Sequence, residues 1–361
     1  MTQRIALLLL AAAGLLWSGL AAAQRPALDA EEARQAAADY QRYCALCHGA
    51  DREGHANDHA PSLRSKSLIE SGFPMVMFEA IAYGRPGTPM GGYYEEIGGP
   101  LSRGEISRLT AWLRDASGVH VEQWDYERGF ERLGGDIARG AVLYAQHCAE
   151  CHGGKGEGGT GTALANATML ALTPDHFLRH AIVHGRQDTP MQAYAGVLSE
   201  AEIDGVTAYL RSRGGGEAVT SRPLQRPPGL DEYVINPGAA APDFGALREG
   251  RYVDAATLDR ELKARRRMVL LDTRVASMWQ MAHIEGAVPL PYYSNREQVL
   301  AGLPRDGTWI VAYCECPRAA ADSVVRRLRE AGFANTAVLW EGIQGWVSLG
   351  YPVVAGDVSE R

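Results

Sequence analysis

Seven residues near the start of the chain, YCALCHG (Tyr43 to Gly49), return as HCAECHG at His147 to Gly153. Nothing else in the 361 residues constrains the fold as strongly, because the copy brings its surroundings with it. YGRPGTPM ends at Met90 and HGRQDTPM ends at Met191. LSRGEISRLTAWLRD (Leu101 to Asp115) then matches LSEAEIDGVTAYLRS (Leu198 to Ser212). Three elements in the same order, twice, describe one structural unit built in duplicate.

C-x-x-C-H is the spacing of covalent c-type haem attachment. Two thiols must reach two vinyl carbons on one edge of a porphyrin. One helical turn presents both, and the following histidine then points at the iron. A disulfide or half a zinc site would also use Cys-x-x-Cys, but neither explains the adjacent histidine or the repeated methionine. The attachment residues are Cys44, Cys47 and His48, then Cys148, Cys151 and His152. Met90 and Met191 hold the same place in the repeat and are the candidate second axial ligands, giving two covalently bound haems c. Thr-Pro before each methionine stiffens the loop that presents the sulfur, and Gly84 and Gly185 read as helix-terminating glycines. His/Met ligation raises the reduction potential, which suits electron transfer. Met75, Met77 and Met169 are unmatched in the repeat and read as packing residues. His176, His180 and His184 fall on one helix face and read as a solvated face rather than a metal site.

Helical periodicity precedes each haem motif, and Ser102 with Glu105 and Ser199 with Glu202 have capping-box spacing. This order of helix, C-x-x-C-H, loop, helix, methionine loop and terminal helix resembles the class I cytochrome c fold over roughly residues 30 to 214. The resemblance implies two all-α modules, at 30–118 and 130–214. It also implies a proline carbonyl that orients the ligand histidine. Pro61 fits that role in the first module, and Ala163 stands near that place in the second.

The first 23 residues have Arg4, an apolar run and an Ala-Ala-Ala ending, the layout of a cleaved secretory signal. The expectation is a periplasmic protein with no membrane span after cleavage. A net charge of −7 argues against a nucleic-acid partner. Redox proteins are the expected partners.

Residues 215–249 are rich in Gly, Pro and Ala and read as a linker or a strap packed on a neighbour. Beyond them helix and strand alternate: DAATLDRELKARR, MVLLD, WIVAYC, RAAADSVVRRLREAG and NTAVLW. That alternation predicts an α/β domain with a parallel sheet over 250–356. LLDTR, HIEGAVPLP, WIVAYC and LWEGIQGWVSLGYPV together resemble a single rhodanese-like domain. The resemblance places a catalytic, persulfide-carrying cysteine at Cys314, where the central strand meets its loop, and implies a small sulfur-compound donor. Strand end and helix N-terminus converge there, so backbone N–H groups would favour a thiolate and an anionic donor. Arg318 would add positive charge. Pro317 fits the first position of the following helix, with Cys316 near its cap. The loop lacks the glycine usual in the family and is shorter. Cys316 is open to three readings: a resolving thiol for a persulfide on Cys314, a C-x-C disulfide, or a soft-metal ligand. A catalytically silent docking domain is the rival to all three.

Overall fold

The computed structural model describes residues 28–54, 57, 59–71, 74–85, 88–119, 132–214, 224–315 and 318–355. The leader at 1–23, Cys316 and Pro317 lie outside the described residues. The first module contains α1 (Ala30–Tyr43), the short α2 (Ala45–His48), α3 (Lys66–Ser71), α4 (Pro74–Tyr83) and α5 (Arg103–Asp115). The second repeats this order as α6 (Ile137–His147), α7 (Ala149–His152), α8 (Ala167–Leu172), α9 (Asp175–His184) and α10 (Glu200–Ser212).

The terminal helices form where the sequence signals them. Ser102 and Glu105 close a complete capping box on α5, as Ser199 and Glu202 do on α10. Ile106, Leu109, Thr110 and Leu113 make one buried stripe on α5, and Ile203, Val206, Thr207 and Leu210 repeat it on α10. These stripes pack against α1 and α6 respectively. The α6–α10 crossing is the tighter, because Gly140 meets Gly205: a Cβ on Gly140 would lie 2.0 Å from the Gly205 carbonyl oxygen. The first module has Ala36, fully buried, at the matching place.

The C-terminal domain is built on β2 (Tyr252–Val253), β3 (Met268–Asp272), β5 (Ala287–Pro289), β6 (Trp309–Tyr313) and β7 (Thr336–Leu339), all parallel, in the order β2-β7-β6-β3 with β5 beyond, while β4 (Ala282–His283) and β8 (Val354–Ala355) form a separate antiparallel pair. β3, β6 and β7 are buried almost end to end, the pattern expected of a sheet covered on both faces. The expected parallel sheet is present, and one antiparallel strand makes it mixed. β1 (Val234–Ile235), from the segment read as linker, pairs antiparallel with Met268 and Val269 on β3. Tyr233 and Phe244 of that segment are buried in the domain's two cores, so its second half is a strap, whose apolar side chains anchor it. Helices α11 (Ala255–Lys263), α12 (Ala276–Met281), α13 (Arg296–Leu300), α14 (Ala319–Glu330) and α15 (Gly342–Ser348) complete the layers. Among the described residues no helix is long and apolar enough to cross a membrane.

Candidate functional site

Each C-x-x-C-H motif lies where a long helix breaks and a single turn follows. In the first, Cys44 is the joint between α1 and α2, and Tyr40 donates from its hydroxyl to the Gly49 carbonyl at 2.6 Å. Tyr144 does the same to Gly153 at 2.8 Å. The turn sets both cysteines on one side. His48 Nδ1 lies 2.8 Å from the Pro61 carbonyl, which fixes the ring and leaves Nε2 for a metal. In the second motif the same bond exists without a proline. His152 Nδ1 is 2.7 Å from the carbonyl of Thr162, one residue before Ala163. The acceptor is a backbone oxygen, so the proline is dispensable. Gly161 makes room, since a Cβ there would come within 2.9 Å of the His152 ring.

The two methionine loops are closed by the same bonds. Arg85 N–H donates to the Met90 carbonyl at 2.7 Å, and Arg186 N–H to that of Met191 at 2.9 Å. Thr88 and Thr189 each donate to the carbonyl of the arginine at 2.7 Å and accept from the methionine N–H at 3.2 Å. Gly84 (φ +68°) and Gly185 (φ +64°) end α4 and α9 in the left-handed region, and a Cβ on either would strike the loop backbone within 2.5 Å. Met90 packs on the apolar cluster that Cys44 and Ala45 also touch. Burial pushes the Cys44 thiol up to about 12 and the Cys148 thiol up to about 11, so neither is a thiolate nucleophile at neutral pH. The side chains present are thus two thiols, a fixed imidazole and a thioether on a stiff loop, a donor set that fits haem c.

Arg85 and Arg186 are site residues that the motif spelling alone does not reveal. Desolvation lowers each guanidinium to about 10. Both sit at the same place in the repeat, and that coincidence was the available signal. The other methionines divide: Met77 and Met169 are buried as packing residues, but Met75 is exposed. The three histidines are only in part a solvated face. His184 is exposed, whereas Nε2 of His176 and of His180 is buried without a hydrogen-bond partner. Helix α9 packs on α3 of the other module, where His180 Nε2 lies 3.8 Å from Glu70 Oε2. Among the described residues no group of three potential ligands converges on a metal position.

In the C-terminal domain Cys314 follows β6 directly, buried, with its thiol donating to the Glu315 carbonyl at 3.1 Å. The loop is anchored from below. Arg274 forms a two-nitrogen fork on Asp272 and reaches Glu315 Oε1 at 3.0 Å, and Tyr313 donates to Asp272 at 3.0 Å. Burial opposes the charge on Arg274, yet Asp272 keeps its pKa above the ordinary value. Glu315 is a loop-positioning residue that sequence reading missed; its partner, in LLDTR, is 41 positions away. Helix α14 starts at Ala319 with Arg318 as its cap. Arg318 donates to the Trp340 carbonyl at 2.9 Å and lies 3.7 Å from the Trp340 ring centre. Its guanidinium thus lies over an aromatic face, a cation–π contact.

The domain is also seated on the first module. Val275 and Met278 enter that module's core beside Ile81 and Tyr93, and Tyr292 and Tyr293 pack on the same cluster.

This geometry defines a class: helical units with the residues of c-type haem attachment joined to an α/β domain built on a largely parallel sheet. The family model for cytochrome C oxidase, cbb3-type, subunit III matches residues 31–113 and again 135–210, and the rhodanese-like domain model matches 254–349. The chain is therefore a tandem cytochrome c region fused to a C-terminal rhodanese-like domain. Its cytochrome c domains are electron carriers and imply covalently bound haem c. A Cbb3-type cytochrome c oxidase subunit FixP of Bradyrhizobium sp. is 29% identical over 182 residues, covering 48% of this chain and 58% of that one. Dihydro-heme d1 dehydrogenase of Pseudomonas aeruginosa is 42% identical over 73 residues, 20% of this chain and 15% of its own. The probable adenylyltransferase/sulfurtransferase MoeZ of Mycobacterium tuberculosis is 30% identical over 124 residues, 34% of this chain and 31% of its own. The chain spans less than two thirds of the length of each of these relatives.

Proposed function

We propose that this protein is a periplasmic two-haem electron carrier whose rhodanese-like domain feeds electrons from sulfur chemistry at Cys314 into the haems. Cys44, Cys47, His48 and Met90 hold the first haem, and Cys148, Cys151, His152 and Met191 the second. The observation that carries the reading is the duplicated site: two fixed imidazoles and two identically closed methionine loops. Bound haem would supply a one-electron couple at each site, so the pair matches a two-electron sulfur oxidation. Taking a sulfane sulfur from thiosulfate is electron-neutral: a bond forms between the two sulfurs, the donor's S–S bond breaks and sulfite leaves. Joining hydrosulfide to the Cys314 thiolate instead forms a persulfide and releases one proton and two electrons. Tethering keeps the sulfur domain beside its acceptor at high effective concentration.

The residues of the domain serve this chemistry by position. Arg274, Asp272 and Glu315 hold the loop, and the start of α14 lies next to it. A second reading, in which the rhodanese-like domain is a catalytically silent cap, is favoured by the commitment of Arg318 to Trp340. Stopped-flow reduction of the ferric protein separates the two. Hydrosulfide or polysulfide reduces the haems in the wild type, and Cys314→Ser abolishes this while a small chemical mediator still reduces them, because an alcohol is a far weaker nucleophile than a thiolate. Equal rates in wild type and Cys314→Ser reject the sulfur reading and leave the cap.

A further inference from the structure

The two haem sites differ in what covers the same edge. In each module the tyrosine three residues after the candidate axial methionine reaches back to the residue before the first cysteine. Tyr194 donates to the His147 carbonyl at 2.8 Å, and Tyr93 to the Tyr43 carbonyl at 3.0 Å. The second pair lies open, with His147 exposed. The first pair is buried under the C-terminal domain, and a third phenol joins it. Tyr292 hydrogen-bonds the same Tyr43 carbonyl, and its oxygen lies 2.7 Å from that of Tyr93. Tyr293 adds an edge-to-face ring contact on Tyr43 at 5.0 Å. Burial raises both Tyr93 and Tyr292 well above the ordinary phenol pKa, so they stay neutral hydrogen-bond donors.

The residue after each methionine records the same difference. In the second module it is Gln192, exposed; in the first it is Gly91, where a Cβ would come within 2.7 Å of Met278 Sδ. A side chain at position 91 would press on Met278 and Val275 of the C-terminal domain. Tyr292 is in turn fixed from the sulfur side. Its N–H donates to the Thr273 carbonyl at 3.0 Å, and Arg327 on α14, the helix that follows the Cys314 loop, donates to the Tyr292 and Ser294 carbonyls at 2.7 Å each. Tyr292 packs on both the apolar cluster containing Cys314 and the one touching Cys44.

We propose that the C-terminal domain is a resident partner docked on the thioether edge of haem 1, with Tyr292 as the positioning residue that joins the peptide before Cys44 to the sheet carrying Cys314. Haem 1 is thereby the internal port and haem 2, with its edge open, the external one. This rests on the haem-attachment reading above. Shielding an edge from water favours the ferrous state, so the cap raises the potential of haem 1 relative to an open site.

The test uses the full-length holoprotein as wild type, Tyr292→Phe and Gly91→Gln. Tyr292→Phe keeps the ring and removes only the hydroxyl, and Gly91→Gln installs the residue of the open module. A Met90→Ala control tells which potential belongs to haem 1. Both variants are expected to lower the haem 1 potential in a spectroelectrochemical titration, leave that of haem 2 in place, and speed amide hydrogen exchange at residues 43–47 but not 147–151. Unchanged potentials and exchange in Tyr292→Phe overturn the proposal, as does an equal shift of both haems. If Gly91→Gln does not fold, Tyr292→Phe decides alone. A haemochrome count below two per chain sinks the two-haem reading instead, and hydrogen exchange then still decides whether Tyr292 holds the domain on residues 43–47.

Discussion

The first and second cytochrome modules share their attachment turn, their histidine clamp and the hydrogen bonds of their methionine loop, yet only one of them keeps the edge of its site in contact with solvent. His48 is buried; the Cys151 side chain of the second module is exposed. The difference lies in what was built on top. Copying a unit reproduces every interaction made within it, whereas interactions with a neighbour depend on which copy the neighbour meets. Gly91 against Gln192, and Tyr43 against His147, are two of the places where the copies part, and both lie at or beside the edge that the C-terminal domain covers in one module only.

The modules are also joined asymmetrically. Ser67, at the start of α3, donates to the Gly185 carbonyl at 2.6 Å, and the Gln187 side chain accepts from the Ser67 N–H at 2.8 Å. The methionine loop of the second module is thus pinned to the first, while the methionine loop of the first is pinned to the C-terminal domain, with Ser277 donating to the Gly92 carbonyl.

The largest expected effect is on cofactor content. Cys44→Ala with Cys47→Ala, or Cys148→Ala with Cys151→Ala, should each halve the covalent haem measured as pyridine haemochrome. Two variants that lose different amounts would break the equivalence of the sites. Met90→Ala and Met191→Ala should each remove about half of the Met–haem charge-transfer absorbance and lower one potential; unchanged spectra in both would remove the methionines from the iron.

Next in size is a stability effect confined to one domain. Arg274→Ala strips the partner from the buried Asp272 and Glu315 carboxylates, and losing one member of a buried pair costs about 3–5 kcal/mol. Calorimetry should show the C-terminal transition falling while the cytochrome transitions persist. Gly140→Ala forces a methyl into the Gly205 carbonyl and should destabilise the second module by about 1–3 kcal/mol, although alanine is native at the matching Ala36. If Gly140→Ala is neutral, the two helix crossings are more alike than their packing indicates.

The smallest effect is a pH dependence of the inter-module contact. Burial, then His184 and Arg186, lower His180 to about 4. The unfolded chain takes up this proton near pH 6.5 and the folded chain only near 4, so stability is full above about 6.5 and falls as pH drops toward 4. His180→Gln should flatten the denaturation midpoint between those values. The first module has Glu79 at the matching place in α4 and should show no such histidine-linked loss.

Much of the site was legible because it is local. The cysteine spacing, the histidine after it, the capping boxes and the glycines before each methionine loop all act within a few residues, and the repeat doubled each signal. The proximal carbonyl of the second module, that of Thr162, carries no residue-type signal, because any backbone oxygen serves. The histidines of α9 were misread because their periodicity describes a face, not what covers it. Glu315 went unseen because an ion pair spanning two loops leaves no pattern in either.

Short-range periodicity, caps and motif spacing specify the units: two copies of a helical cytochrome c module and one rhodanese-like α/β domain. How they are used is a matter of tertiary contact. The strap that becomes β1, the seating of Val275, Met278 and Tyr292 on the first module, and the exposure of the second depend on surfaces assembled from residues as far apart as Tyr43 and Tyr292. Such contacts depend on shape and burial after folding, and no spacing along the chain encodes them.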